Sequence, residues 1–579
     1  MENVNIKING KDYSVPAGST ILEAAHYAGV VIPTLCYMKK INAIGACRIC
    51  VVEVKGARSL VAACVYPVNE GMEIFTSSEK VIKSRKMTLE LILSDHNMQC
   101  LTCKRSGNCE LQTLAKAYGI EDVRFPKSEF KNNIDDSTGV IVRDNSKCVL
   151  CRRCVAACKS NQAVAVIGAT QRGHDTQIAC AFEKELSNVP CVSCGQCVAV
   201  CPTGALRERN NVDDVIAAIN DPEKYVVAAV APSIRVHMGE FYGMPIGTNV
   251  QGKIATALRG MGFDGVFDVD TAADLTIMEE GNELIERIKN NGPFPLITSC
   301  SPGWVKFAEY YYPEFIPNIS SCKSPQGMYG SMMKTYYAEK MGIDPEKLVV
   351  VSVMPCTAKK FEAKREDLRV NGLDPIDIAI TSREFAELVD IYGLDFANLE
   401  DSEFDPMFGI ASGAGHIFGV TGGVTEAALR TVAEVLEGKT LEHLDFEQVR
   451  GFEGIKEATF NIAGMDVNIA VTSGLANARK LLDLIKSGEK QYHFVEVMAC
   501  PGGCVNGGGQ PIRSSGITNF VDVTALRAKG LYSADKAMAL RKSHENPVIK
   551  EIYDTYLGKP GSHKAHEILH TTYQKREKY

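Results

Sequence analysis

The residues best equipped for chemistry in this chain are its 21 cysteines. Sixteen fall in the first 201 residues and five in the remaining 378. Many stand three positions apart, a step that lets one tight loop offer two thiolates to one metal. Disulfides have no need of that spacing. Met1-Glu2-Asn3 begins no basic and apolar export signal, so metal ligation is the stronger reading. Cys36, Cys47, Cys50 and Cys64 suit a [2Fe–2S] cluster. Cys100, Cys103 and Cys109 are one ligand short of a [4Fe–4S] cubane, and His96, one helical turn before Cys100, is the expected fourth. Cys148-x2-Cys151-x2-Cys154-x3-Cys158 and Cys191-x2-Cys194-x2-Cys197-x3-Cys201-Pro202 repeat the bacterial ferredoxin run. In such a pair the fourth cysteine of each run serves the other cluster. The expected sets are Cys148, Cys151, Cys154 with Cys201, and Cys191, Cys194, Cys197 with Cys158. Lys159 stands where the first run usually has proline, which is not a ligand. Cys180 is left over as a buried or free thiol.

One [2Fe–2S] and three [4Fe–4S] clusters make an electron wire, and a wire needs a redox site at its end. Three loops of the C-terminal body supply candidates: Thr298-Ser299-Cys300-Ser301-Pro302-Gly303-Trp304, Met354-Pro355-Cys356-Thr357-Ala358-Lys359-Lys360-Phe361-Glu362, and Glu496-Val497-Met498-Ala499-Cys500-Pro501-Gly502-Gly503-Cys504, which runs on through Val505-Asn506 to Gly507-Gly508-Gly509-Gln510-Pro511. The glycines permit close backbone approach. Glu280 and Glu283 share a helix face with Arg287 one turn on, an arrangement that serves an exposed ion pair or a proton path.

These residues need elements to hold them. Residues 3–16 read as a hairpin, with Val4, Ile6 and Ile8 on one face and Asn9-Gly10 at the turn, followed by a helix capped at Ser19/Thr20. From 210 onward, apolar runs at 226–230, 296–298, 349–353, 376–380, 467–471 and 494–497 read as buried parallel strands, with helices such as 250–261 and 272–288 between them. Cys300, Cys356 and Cys500 each follow such a run, where α/β sheets gather chemistry. With 579 residues, 45% apolar and 23% charged, the chain is an ordinary multidomain globular composition. A net charge of −7 argues against nucleic-acid binding, and no apolar run reaches the ~18–20 residues of a membrane span.

The order hairpin, helix, cysteine loop resembles the β-grasp ferredoxin domain of complex I and large iron–sulfur oxidoreductases, a group that also contains His-ligated [4Fe–4S] domains. The three C-terminal loops resemble the signatures of the [FeFe]-hydrogenases, and the whole chain is similar to their monomeric clostridial type. The resemblance implies a multidomain α/β and α+β fold. Its parts are a β-grasp [2Fe–2S] domain at 1–79, a His/Cys [4Fe–4S] domain at 80–126, a bacterial 2[4Fe–4S] ferredoxin domain at 138–209 and a large α/β H-cluster domain at 210–579. The H-cluster is a [4Fe–4S] cubane joined through one cysteine sulfur to a two-iron unit with CO, cyanide and azadithiolate. By position Cys504 matches the bridging ligand, and Cys356 and Cys500 match cubane ligands. Lys359 matches the lysine beside one cyanide, and the Ala231-Pro232-Ser233 segment the donor to the other. Pro325, Gln326, Met354, Phe418 and Met498 match lining positions, and Cys300, Glu280, Ser320 and Glu283 match the proton relay.

The first loop departs from the family, which carries two adjacent cysteines before the proline. The register places Cys300 at the relay position and Ser301 at the ligand position. Counting thiolates points instead to Cys300 as the fourth cubane ligand, and Cys322 is a third candidate. The implied reaction is 2H⁺ + 2e⁻ ⇌ H₂ in a cytoplasmic, monomeric enzyme served by a ferredoxin or flavodoxin-like carrier and by maturation proteins. Two other readings share much of the pattern. An electron-transfer subunit would not need Cys356, Lys359 and Cys500-x3-Cys504 at strand ends. A non-catalytic assembly or signalling relative tends to lose the relay acids, which are retained here.

Overall fold

Asn9 and Gly10, at φ of 48° and 84°, turn the chain between strands Asn3–Ile8 and Lys11–Pro16. Thr20 then caps helix Ile21–Tyr27 through a reciprocal capping box with Glu23. With Val51–Val54, Val61–Ala62 and Glu73–Phe75 the hairpin completes a five-stranded sheet over a core that includes Ile6, Ile8, Leu22 and Val52. The computed structural model describes residues 2–128 and 134–578. Helix Glu79–Ser94 leads to the short 3₁₀ turn Cys100–Thr102 and helix Glu110–Ala117. The two ferredoxin runs follow on short helices, Arg153–Ala156 and Gln196–Ala199.

The body from 210 is built on two four-stranded sheets. One orders Gly265–Asp268, Tyr225–Val230, Leu348–Met354 and Ile378–Thr381, all parallel. The other orders Leu296–Ile297, Phe494–Met498, Met465–Ser473 and Ile455–Ile462. The six predicted runs all pair in parallel with one another, whereas the last strand of this sheet, which no predicted run covers, is antiparallel. Ala463 and Gly464, both at positive φ, make that hairpin turn. Ile455–Ile462 carries polar residues on its exposed positions, so it lacks the continuous apolar run of a buried strand. Each predicted run lies in or beside an observed strand, and the two predicted helices appear as Gln251–Met261 and Val269–Lys289.

Cys356 leaves the carboxyl end of a strand in the first sheet, and Cys300 and Cys500 leave strand ends in the second. The site therefore lies where the two sheets meet. Beyond it, helices Val523–Ala537, Pro547–Ile552 and His563–Leu569 carry the chain back over residues 321–323. There Lys323 N–H donates to the Leu569 carbonyl and Thr571 N–H to that of Ser321, each at 2.8 Å. No described helix is long and apolar enough to cross a membrane.

Candidate metal centre

None of the 21 cysteines is in a disulfide. In the first domain Cys50 Sγ lies 3.3 Å from Cys64 Sγ, and the Cys47 amide points at Cys36 Sγ at 3.5 Å, so the four predicted thiols converge in pairs. Cys148, Cys151, Cys154 and Cys201 line one cavity of ≈ 390 Å³. Cys158, Cys191, Cys194 and Cys197 line another of ≈ 470 Å³. These are the crossed groupings expected from the two runs. His96 is buried, its Nδ1 has no partner, and burial with Lys147 nearby pushes its imidazole down to about 4. The ring is neutral at physiological pH, the form that ligates metal. Cys180 is fully buried beside Arg143, and burial raises its thiol.

The domains are tied together next to these cysteines. Asn42 Nδ2 donates to the carbonyls of Cys36 (2.8 Å) and Cys151 (3.0 Å). Arg153 donates to the Cys36 and Tyr37 carbonyls, to the Ser515 hydroxyl and to both carboxylate oxygens of Glu110. Thr357 Oγ1 donates to the Ser193 carbonyl at 2.7 Å, and Gln196 Nε2 to that of Asn506 at 2.9 Å. A Cβ at Gly508 would collide with the Cys194 carbonyl, and one at Gly195 with Thr357 Oγ1. Only glycine at both places allows the third loop to seat on the ferredoxin run.

Cys500 lies within electrostatic reach of Cys356, Cys194 and Cys504, and burial with these neighbours pushes its thiol well up. Burial likewise raises Cys504, to about 12, and Cys356. Buried thiols that oppose one another's ionisation fit a metal core, whose positive charge would favour thiolate there. Lys359 Nζ reaches toward this group, bonded to Ser324 Oγ and Glu362 Oε2 at 2.7 Å each. Gln326 bonds the same Glu362 carboxylate at 2.9 Å and accepts from Ser352. Ser233 is fully buried beside Pro232 and accepts from Gln510 Nε2 at 3.2 Å. Met354, Phe418 and Met498 are buried, and Pro325 opens the helix that carries Gln326. A Cβ at Gly507 would strike the Pro355 carbonyl, so the second and third loops touch backbone to backbone.

Glu280 and Glu283 lie on helix Val269–Lys289 as predicted. Glu280 is 2% exposed, its Oε1 has no partner, and burial together with Glu283 pushes its carboxyl up to about 8. Ser320 interacts with Glu280 and donates to Glu283 Oε2 at 2.8 Å. Glu283 in turn pairs with Arg287 at 2.7 Å.

Cys300 and Ser301 part company. Cys300 feels Glu280, Cys504, Glu496 and Lys359, and packs on the apolar cluster of Phe418 and Met498. Ser301 Oγ instead accepts from the Ala499 amide at 3.2 Å, next to Cys500. Cys322 is set among Glu283, Glu280 and Ser320, on the relay side.

Several residues around the site escaped sequence reasoning. Gln510 Nε2 donates to the Cys504 carbonyl at 2.6 Å, and its Oε1 is buried without a partner. Glu362 organises Lys359, and Glu496 is a buried carboxyl within reach of Cys300 and Cys504. All three sit on or beside the signature loops, the one signal that pointed at them.

Family models match along the chain: a 2Fe-2S iron-sulfur cluster binding domain at 1–79, the NADH-ubiquinone oxidoreductase-G iron-sulfur binding region at 85–124, a 4Fe-4S dicluster domain at 147–205, the C-terminal domain of the iron only hydrogenase large subunit at 224–508 and the iron hydrogenase small subunit at 521–576. The last match divides what the sequence presents as one catalytic body. The chain is 48% identical to the NADP-reducing hydrogenase subunit HndD of Solidesulfovibrio fructosivorans, covering 100% of both. It is 46% identical to iron hydrogenase 1 of Clostridium pasteurianum, over 98% of this chain and 100% of that one. An apo [FeFe]-hydrogenase HydA1 from Chlamydomonas reinhardtii superposes with a TM-score of 0.57 at 42% identity, covering 64% of this chain and 100% of that one. Thiol cavities in series, ending at a buried cysteine-and-lysine site with a carboxyl path to it, agree with these likenesses: the chain belongs to the [FeFe]-hydrogenases, enzymes that make and oxidise H₂ at an H-cluster fed by accessory iron–sulfur clusters.

Proposed function

We propose that Cys356, Cys500 and Cys504 hold the H-cluster, with Ser301 facing the cubane and Cys300 passing protons. The carrying observation is that Cys300 and Ser301, though adjacent, join different neighbourhoods: Glu280 for one, the Cys500 loop for the other. The cluster supplies electrons and the iron at which protons and H₂ interconvert. Lys359, held by Ser324 and Glu362, offers a buried cation to anionic ligands, while Gln510 keeps Ser233 and the Cys504 carbonyl in place. Met354, Phe418 and Met498 exclude water. Glu280, neutral below about 8, gives its proton toward Cys300 and is refilled through Ser320 and Glu283, with Arg287 at the outer end.

We assign His96, Cys100, Cys103 and Cys109 to one [4Fe–4S] cluster, Cys36, Cys47, Cys50 and Cys64 to the [2Fe–2S] cluster, and the two cavity sets to the ferredoxin pair. Clusters held there would supply a path for electrons, since Asn42 joins the Cys36 and Cys151 carbonyls, Gly204 abuts Cys103, and Cys194 lies within reach of Cys500. A ferredoxin-type carrier is the proposed donor, maturation proteins load the two-iron unit, and the enzyme works in the cytoplasm. A second reading, assembly with further subunits toward a nicotinamide partner, is favoured by 48% identity over the full length to a subunit of an NADP-reducing hydrogenase. Purification of the chain from its native cell separates these: a monomer active with ferredoxin supports the first, a complex reducing NADP the second. Infrared spectroscopy of the matured chain tests the site. Bands of bound CO and cyanide are expected, and their absence at every potential would overturn it.

A further inference from the structure

Arg105 lies between Cys103 and Cys109, and its side chain is almost wholly buried, 7% exposed. Its Nε and Nη1 have no hydrogen-bond partner, and no carboxylate pairs with it among the described residues. Glu110, an acid within its electrostatic reach, is taken by Arg153 at 2.8 Å and by Ser515 at 2.7 Å. A second cation, Arg383, lies within reach but is held by Glu208. An arginine stays charged in proteins, and an unpaired buried charge with two unspent donors is costly. Two sulfurs, Cys201 and then Cys109, attract it ahead of Glu110. The backbone at Gly204 presses on the same spot, since a Cβ there would sit 2.7 Å from Cys103 Sγ and 3.7 Å from Arg105 Cγ. Arg105 is thus wedged at the seam between the His96 site and the Cys148 site.

We propose that Arg105 is a potential-setting residue, donating Nε–H and Nη1–H to sulfurs of the cluster that Cys103 and Cys109 ligate and stabilising its reduced state. The inference rests on the ligand assignment above. Reduction adds one electron and one negative charge to a [4Fe–4S] core, so a fixed cation and hydrogen bonds to sulfur favour the reduced form and raise the potential. Arg105 touches no reacting atom and acts only through the cluster.

The test is an EPR-monitored redox titration of matured full-length Arg105→Met beside wild type, with iron counted in both. At the wild-type midpoint of one [4Fe–4S] signal, the variant should show at least a tenfold lower ratio of reduced to oxidised cluster, 59 mV for a one-electron couple. The [2Fe–2S] signal and the CO and cyanide bands should not move. Arg105→Gln, titrated against the same threshold, decides if Arg105→Met loses iron. Full iron content with every potential unchanged overturns the proposal. A wild-type protein lacking these [4Fe–4S] signals would instead overturn the ligand assignment.

Discussion

Ser301 is where this chain tests its own chemistry. A hydroxyl in place of a thiolate is a harder ligand, so the cubane should be held less firmly than by four sulfurs. Ser301→Cys is expected to keep or raise iron occupancy, counted per chain. Cys300→Ala is expected to abolish turnover while leaving the cubane EPR signal. An emptied cubane in Cys300→Ala would exchange the two roles. Glu280 carries a second prediction. Glu280→Gln keeps the shape and removes the transferable proton, so H₂ turnover should fall ~10²–10⁴-fold with the infrared bands intact. Its stability should also diverge from wild type with pH. The folded carboxyl titrates near 8 against 4.5 when free, so wild type loses stability as pH rises from 4.5 through 8. The difference in thermal midpoint in favour of Glu280→Gln should therefore grow over that window and level off above it.

Among the elements, glycine loops set the spacing between wire and site. Gly508→Ala would drive a methyl into the Cys194 carbonyl, and the loop must back away from the ferredoxin run. A cost of about 1–3 kcal/mol is expected, with slower reduction of the H-cluster by ferredoxin in stopped-flow infrared and unaltered H₂ oxidation by a small artificial acceptor. The sequence makes such contacts hard to see. Cysteine spacing is local, so the cluster runs, the hairpin at Asn9-Gly10 and the relay helix were legible. Strand Gly265–Asp268 is four residues long and begins with glycine, leaving too little pattern to detect. Glu362 and Gln510 were visible only as members of loops, because their partners Ser324 and Ser233 lie far along the chain.

At the scale of the molecule, Arg153 joins parts that the linear order keeps apart. It binds the first-domain carbonyls of Cys36 and Tyr37, Glu110 of the second domain and Ser515 of the C-terminal region. Nothing about an arginine next to Cys154 announces this. Arg153→Met strands Glu110 as a buried anion, and a loss of about 3–5 kcal/mol is expected, read as a lower thermal midpoint with early loss of the [2Fe–2S] absorbance. The catalytic body should nonetheless stand alone, since a chain matching only 64% of this one has a complete [FeFe]-hydrogenase fold. Residues 210–579, matured, are expected to keep the infrared bands and to lose most ferredoxin-linked turnover. Unchanged turnover would mean that the accessory clusters are not the entry route.

The return of the chain over residues 321–323 has a consequence for how this protein is partitioned. Residues 521–576 match what is elsewhere a separate small subunit. Here they are moored before they arrive: Ser515 donates to Glu110, Asn519 accepts from the Lys39 amide, and Phe520 stacks on His26 with ring centroids 3.6 Å apart. The linker is a tether fixed at both ends, which keeps the closing segment at about millimolar effective concentration beside its seat. Covalent continuity then adds persistence rather than shape. A break at the exposed Gly516–Ile517 bond should leave two polypeptides that stay associated, one molecule by affinity where it had been one by backbone.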